Sequence, residues 1–158
     1  MTKVLYCANH FCWKLADFGT SSEGTTKRAQ ATTYSRGTPS YRVPEIIGDN
    51  PAYTNKVDIW AFGCILYEMC IGQKAFEGDF AVREYAMSGA TINLFEGIDF
   101  VDERFRFWTE YLRFASCLQT WIQEALSREP GNRPSAATIG SRFWSSINRG
   151  MAGMVEDN

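Results

Sequence analysis

The apolar positions of this chain change their spacing several times, and each change predicts a different element. Val4 to Cys7 and Cys12 to Ala16 are short β-prone runs on either side of Ala8-Asn9-His10-Phe11, which predicts a small hairpin within residues 1–16. Residues 20–36 abound in Gly, Ser and Thr and hold almost no large apolar side chain, the pattern of a loop. From Asn55 to Gly72 apolar residues cover every face of a helical projection, and Asp58 and Glu68 are the only acids. A helix of that kind is expected to be central and buried, with Asn55 as its cap, Asp58 three residues later in a capping-box-like position, and Gly72 as its stop. Asp79 is expected to cap a shorter amphipathic helix that turns Phe80, Val82, Tyr85 and Ala86 inward and ends near Gly89. Residues 90–107 carry no clear period and read as loop-rich. Leu118, Trp121, Ile122, Ala125 and Leu126 recur at three and four, predicting a helix over roughly 109–127. Pro130, Gly131 and Pro134 interrupt it, and Ser135 opens a last helix with Ile139, Phe143 and Ile147 on its inner face. The tail over 150–158 is expected to fray.

Composition narrows the class without changing this outline. The 158 residues are 45% hydrophobic and 15% aromatic, enough for one domain with a sizeable core. A net charge of -2 with mixed signs gives no chain-wide attraction to nucleic acid or anionic lipid. No charged n-region with an apolar run opens the chain and no stretch is long and apolar enough to span a bilayer, so neither nucleic acid nor membrane is expected among its partners. Cys7, Cys12, Cys64, Cys70 and Cys117 form an odd set without a CxxC pair and read as reduced thiols, which points to an intracellular setting, cytoplasmic or nuclear. Cys7, His10 and Cys12 place three soft ligands close together, but no fourth is evident, so a plain hairpin is preferred to a zinc site. Arg104-Phe105-Arg106-Phe107-Trp108 mixes bases with aromatics as some RNA-binding surfaces do, while Asp102, Glu103 and Glu110 around it favour a solvated helix start.

Four short motifs then stand in a fixed order. They are Asp17-Phe18-Gly19, the stretch Gly37-Thr38-Pro39-Ser40-Tyr41-Arg42-Val43-Pro44-Glu45, the run Asp58-Ile59-Trp60-Ala61-Phe62-Gly63, and Arg133-Pro134. Any one alone is a weak signal, and their order and spacing make it strong. Together they resemble the C-terminal lobe of a eukaryotic-type serine/threonine protein kinase, over about Val4 to Asn148. The resemblance implies a mainly α, partial protein-kinase-like fold, in which C-lobe helices follow a short N-terminal β-hairpin. The partial kinase domain would occupy 1–149, divided into the hairpin over 1–16, an activation segment over 17–45 and a helical C-lobe over 46–149.

The resemblance also assigns expected roles. Asp17 would be the magnesium ligand at the nucleotide phosphates, a task suited to a hard carboxylate. Lys3 stands where the family has its second metal ligand, and a cation there cannot bind magnesium. Thr38, Pro39 and Tyr41 would face the protein substrate, with Thr38 tilting it toward Ser and Thr hydroxyls. Glu45 and Arg133 would form a structural ion pair anchoring this loop, a pairing suited to a planar guanidinium. The family's Ala-Pro-Glu is written Val43-Pro44-Glu45 here. Asp58 would anchor the central helix to a catalytic loop, and a carboxylate so placed is costly without hydrogen bonds. Thr32, Thr33, Tyr34 and Ser35 are candidate phosphosites, Thr33 preferred, with Lys27, Arg28, Arg36 and Arg42 as nearby cations.

Phosphoryl transfer also needs a glycine-rich loop, a strand lysine and a catalytic-loop Asp and Asn, all expected upstream of Asp-Phe-Gly, and the residues before Asp17 contain none of them. The expectation is therefore a fragment of a serine/threonine kinase, a transferase whose complete parent uses ATP and magnesium, with this isolated chain inactive and binding neither. A truncated reading frame, with the true start further upstream, is the preferred explanation. The alternative is a pseudokinase-like, non-catalytic module that docks a kinase or its protein substrate through the helical face at 79–89 or the loop.

Overall fold

The computed structural model describes residues 3–16, 29–32, 37–49, 51–94 and 112–155. It begins with an antiparallel hairpin, strands β1 (Lys3–Cys7) and β2 (Cys12–Ala16), whose register sets Lys3 against Ala16 and Cys7 against Cys12. A 3-10 turn at Ala8–His10 joins them. A second, minimal pairing reaches into the stretch read as loop: β3 (Gln30–Ala31) pairs with β4 (Ala52–Tyr53), reinforced by Tyr53 Oη donating to Gln30 Oε1 at 3.1 Å. Two-residue strands leave no periodicity for a sequence reading to find.

The helices carry the body: α1 (Pro44–Ile47), α2 (Lys56–Ile71), α3 (Asp79–Ser88), α4 (Leu112–Ala125) and α5 (Ala136–Val155). Their shared core joins Val43, Ile46 and Ile47 to Trp60 and Cys64 of α2, Val82 of α3, and Ile122 and Leu126 at the end of α4, with Phe76 and Leu94 closing the sides. At its centre Trp60 is fully buried, stacked on Phe76 with centroids 5.4 Å apart and edge-on to Tyr85 at 6.0 Å. The indole N–H has no hydrogen-bond partner among the described residues, so ring contacts rather than a polar anchor hold it. Helix α2 meets α4 so closely that Gly63 is required: a Cβ there would lie 2.8 Å from Ala125 Cβ. Gly72, at φ 77, ends α2 in the left-handed conformation that glycine adopts without strain.

Several expectations are corrected. Helix α2 is not buried all round; Ile59, Trp60, Gly63 and Cys64 face the core, whereas Ile65, Met69 and Cys70 are exposed. Its apolar character on every side predicts burial only if something covers every side. Asn55 makes no side-chain cap; Thr54 Oγ1 accepts the Lys56 N–H at 3.3 Å instead. Gly78, not Asp79, precedes α3, and Asp79 instead binds Arg42 through Oδ2. Phe80 points outward, 82% exposed, while Val82 is fully buried. Ser135 does cap α5, accepting the Thr138 N–H at 3.0 Å, and that helix continues to Val155, into the stretch expected to fray. Phe143 is partly covered through its contact with Trp121 at 5.8 Å, although 40% of it stays exposed. Residues 95–111, including the Arg-Phe-rich run, lie outside the described residues.

Candidate functional site

Residues 37–47 form a continuous ledge on the helical body. Proline at position 39 starts a 3-10 turn over Pro39–Tyr41 and proline at position 44 starts α1, both at N-terminal positions where a missing N–H costs nothing. Between them Val43 plugs the core at 1% exposure. Each neighbouring side chain then fastens the ledge to a different part of the body: the segment before α3, α2 and α3 itself. Ser40 Oγ donates to the Glu77 carbonyl at 3.2 Å, and Tyr41 Oη donates to Glu68 Oε2 of α2 at 2.6 Å. Arg42 bridges to Asp79 of α3 at 2.7 Å while its Nε reaches the Gly37 carbonyl at 2.9 Å. The hydrogen bond to Glu68, helped by burial, pushes the Tyr41 hydroxyl up to about 12 from an ordinary 10.0.

The strongest fastening is Glu45 to Arg133. The guanidinium grips both carboxylate oxygens, at 2.6 and 2.8 Å, from a fully buried position. Its other donors reach the Ser127 carbonyl at 2.8 Å and the Arg128 carbonyl at 3.2 Å, and its face lies 5.0 Å from the Trp60 ring. Lys56 Nζ donates to the Arg133 carbonyl and closes the knot from α2. Five donors in a fixed fork explain why arginine stands here: a lysine could satisfy only part of this set. Nearby, Arg128 stacks on Tyr85 at 4.4 Å, and Tyr85 Oη donates to the Leu126 carbonyl at 3.0 Å.

Of the residues singled out from sequence, the structure brings Glu45 and Arg133 together and fastens Tyr41; Thr38 and Pro39 lie exposed at the rim of the ledge. Asp58 is exposed on the first turn of α2 and has no hydrogen-bond partner among the described residues, and partial desolvation raises its carboxyl above the usual range. Thr32 is held by its backbone N–H to the Pro51 carbonyl at 3.0 Å. Asp17, Phe18, Gly19, Thr33, Tyr34 and Ser35 lie outside the described residues, as do Lys27, Arg28 and Arg36. Arg42, counted among cations for a phosphate, is already engaged by Asp79. Sequence reasoning missed the partners Glu68, Glu77 and Asp79; the one available signal was Glu68, a lone acid in the second half of an otherwise apolar helix.

A protein kinase domain model matches residues 3–145. The chain belongs to the protein kinase family. It is 32% identical over 135 residues to the serine/threonine-protein kinase chk-2 of Caenorhabditis elegans, a match covering 83% of this chain and 25% of that protein. It is 35% identical over 126 residues to the serine/threonine-protein kinase Nek3 of Mus musculus, covering 80% and 22% respectively. A shorter match, 48% over 66 residues, joins it to the eye isozyme of protein kinase C from Drosophila melanogaster, covering 42% of this chain and 9% of that one. The chain thus spans a quarter or less of the length of these relatives. The mostly helical body with its small hairpin is compatible with part of a kinase fold.

A kinase domain implies ATP with magnesium in a complete protein, and the expected ligand Asp17 lies outside the described residues. Among the described residues no three ligating side chains come together, and the hairpin register sets Lys3, a cation, against Ala16, the residue beside Asp17. Hard carboxylate and carbonyl oxygens are what that ion takes. No helix among the described residues is long and apolar enough to cross a membrane.

Proposed function

We propose that this chain is the C-terminal-lobe portion of a serine/threonine protein kinase, one whose complete form transfers the terminal phosphoryl group of ATP to a protein Ser or Thr hydroxyl. The observation that carries the reading is the ledge over 37–47: bound to the body by the bidentate Glu45–Arg133 pair and the Tyr41–Glu68 hydrogen bond, it holds an exposed Thr38 and Pro39 in fixed positions, as a peptide-facing platform requires. In this reading Asp17 is the inherited metal ligand, residues 17–45 are the activation segment, and Thr32, Thr33, Tyr34 and Ser35 are its phosphosites, Thr33 foremost. Asp58 is the anchor for a catalytic loop, and its exposed, unpartnered carboxylate supports that role. Catalysis of this kind is positioning plus electrostatics supplied jointly by several parts, and these 158 residues hold no glycine-rich loop and no His-Arg-Asp sequence. The isolated chain is therefore inactive.

The test is a phosphotransfer assay of the purified 158-residue chain with ATP, magnesium and Ser- and Thr-containing peptides, beside the Asp17→Ala variant. No transfer by either is the expected result. Turnover that disappears in Asp17→Ala would sink the claim of inactivity while strengthening the kinase assignment.

A second reading, a non-catalytic docking module, is favoured by one observation. Phe80 and Met87, seven residues apart on α3, are 82% and 87% exposed. Binding of a kinase or protein substrate that needs no ATP and is lost in Phe80→Ser would decide for it.

A further inference from the structure

Cys7 and Cys12 are the last residues of β1 and the first of β2, and the register sets them directly opposite each other. Directly paired residues of antiparallel strands have Cα atoms about 4.5–5.5 Å apart and side chains on the same face, inside the range of Cα separations that a disulfide spans. Both are free thiols and both are half-buried, so they are within reach of a small solute. The turn between them is already closed, with Phe11 in the left-handed region at φ 49 and its N–H directed to the Ala8 carbonyl at 3.4 Å. His10 belongs to this turn, yet it completes no metal-binding group with the two cysteines among the described residues. The other thiols stand differently. Burial pushes the Cys64 thiol up to about 12 and also raises that of Cys70, and neither of them is set opposite a second cysteine in a strand register.

We propose that Cys7 and Cys12 form a reversible disulfide clasp at the tip of the hairpin, made and broken by exchange with a low-molecular-weight thiol–disulfide couple such as glutathione. One cysteine thiolate attacks a sulfur of oxidised glutathione, forming a mixed disulfide and releasing one glutathione thiolate. The opposing thiolate then attacks the protein sulfur of that mixed disulfide, forming the Cys7–Cys12 bond and releasing the second glutathione. The two cysteines lose two protons and two electrons in all, and one oxidised glutathione becomes two reduced ones. The loop closed is short, so the bond removes less unfolded-chain entropy than a long-range cross-link would. Its mechanical effect is on register: a clasp between Cys7 and Cys12 forbids the one-residue slip that would carry Lys3 off Ala16 and shift the strand that runs into Asp17.

Trypsin separates the candidates cleanly, because Val4–Lys14 carries only Cys7 and Cys12, residues 57–74 carry Cys64 and Cys70, and residues 114–128 carry Cys117. The full chain is equilibrated with oxidised glutathione, alkylated, digested and weighed by mass spectrometry, natively and in urea. The clasp is expected as a Val4–Lys14 peptide two hydrogens lighter that takes alkylating agent only after reduction, formed about tenfold faster natively than in urea because the fold holds the thiols together. In Cys12→Ser the same peptide should instead retain one glutathione. A peptide alkylated at both cysteines, one carrying two glutathiones, or equal rates in the native and unfolded chains would overturn the proposal.

Discussion

Arg133 spends nearly all its hydrogen-bonding capacity inside the protein, and among the described residues Glu45 is the one acidic partner that neutralises it. Removing that partner leaves a guanidinium at 1% exposure with no counter-charge, the costliest kind of single-residue change. Glu45→Ala is expected to lower stability by about 3–5 kcal/mol, read as a shift in the urea unfolding midpoint. Arg133→Lys should recover only a fraction of the native stability, since one ammonium cannot reach both carboxylate oxygens and two carbonyls. Tyr41 gives a pH-dependent counterpart. Its hydroxyl is raised above its unfolded value by donating to Glu68, so the stabilisation is complete below pH 10 and fades as pH rises through about 12. Tyr41→Phe should therefore cost about 1–2 kcal/mol at neutral pH, and the gap between the two thermal midpoints should close on the alkaline side. A gap independent of pH would mean that packing, not the hydroxyl, fastens this residue.

At the scale of elements, α2 and α4 are held at a distance that only glycine permits. A methyl at residue 63 would meet Ala125 Cβ at 2.8 Å and Leu126 Cγ at 3.1 Å; the leucine can turn aside, but the alanine Cβ is fixed to its helix. Gly63→Ala gains about 1 kcal/mol of helix propensity and loses about 1–3 kcal/mol to overpacking. A net fall in melting temperature is expected; a rise would show that the two helices can part freely. Element boundaries also show where local chemistry gave way to tertiary partners. Asp79 reads as a cap in sequence, yet an arginine 37 residues earlier claims its carboxylate, and the helix starts without side-chain capping.

Over the whole molecule, large apolar side chains remain exposed in four places among the described residues: Leu5, Tyr6 and Phe11 on the hairpin, Ile65 and Met69 on α2, Phe80 and Met87 on α3, and Phe143 and Trp144 on α5. Where such residues lie together on one face, as Phe80 and Met87 do one heptad apart on α3, they favour association. The isolated chain is expected to scatter more light as its concentration rises and to bind a hydrophobic dye, with Phe80→Ser and Met87→Ser reducing both. A monodisperse chain with one cooperative thermal transition would show that the core alone suffices.

What the sequence determined by itself were the features written in local spacing. The β-prone runs around Ala8–Phe11, the apolar periods near 57–71 and 118–126 and the stops at Gly72 and Gly89 each depend on a few neighbouring residues, and the corresponding elements appear close to where the pattern placed them. The ordered motifs pointed to the kinase family for the same reason, being short and contiguous. Only the tertiary structure decided which face of α2 is covered, that Phe80 turns outward, that Gln30–Ala31 pairs with Ala52–Tyr53, and that Tyr41, Arg42 and Ser40 find their partners 27 to 37 residues away. Those outcomes depend on which surfaces meet after the chain has folded back on itself. A spacing rule reaches across one helix or hairpin and carries no information about what lies on the other side of the core.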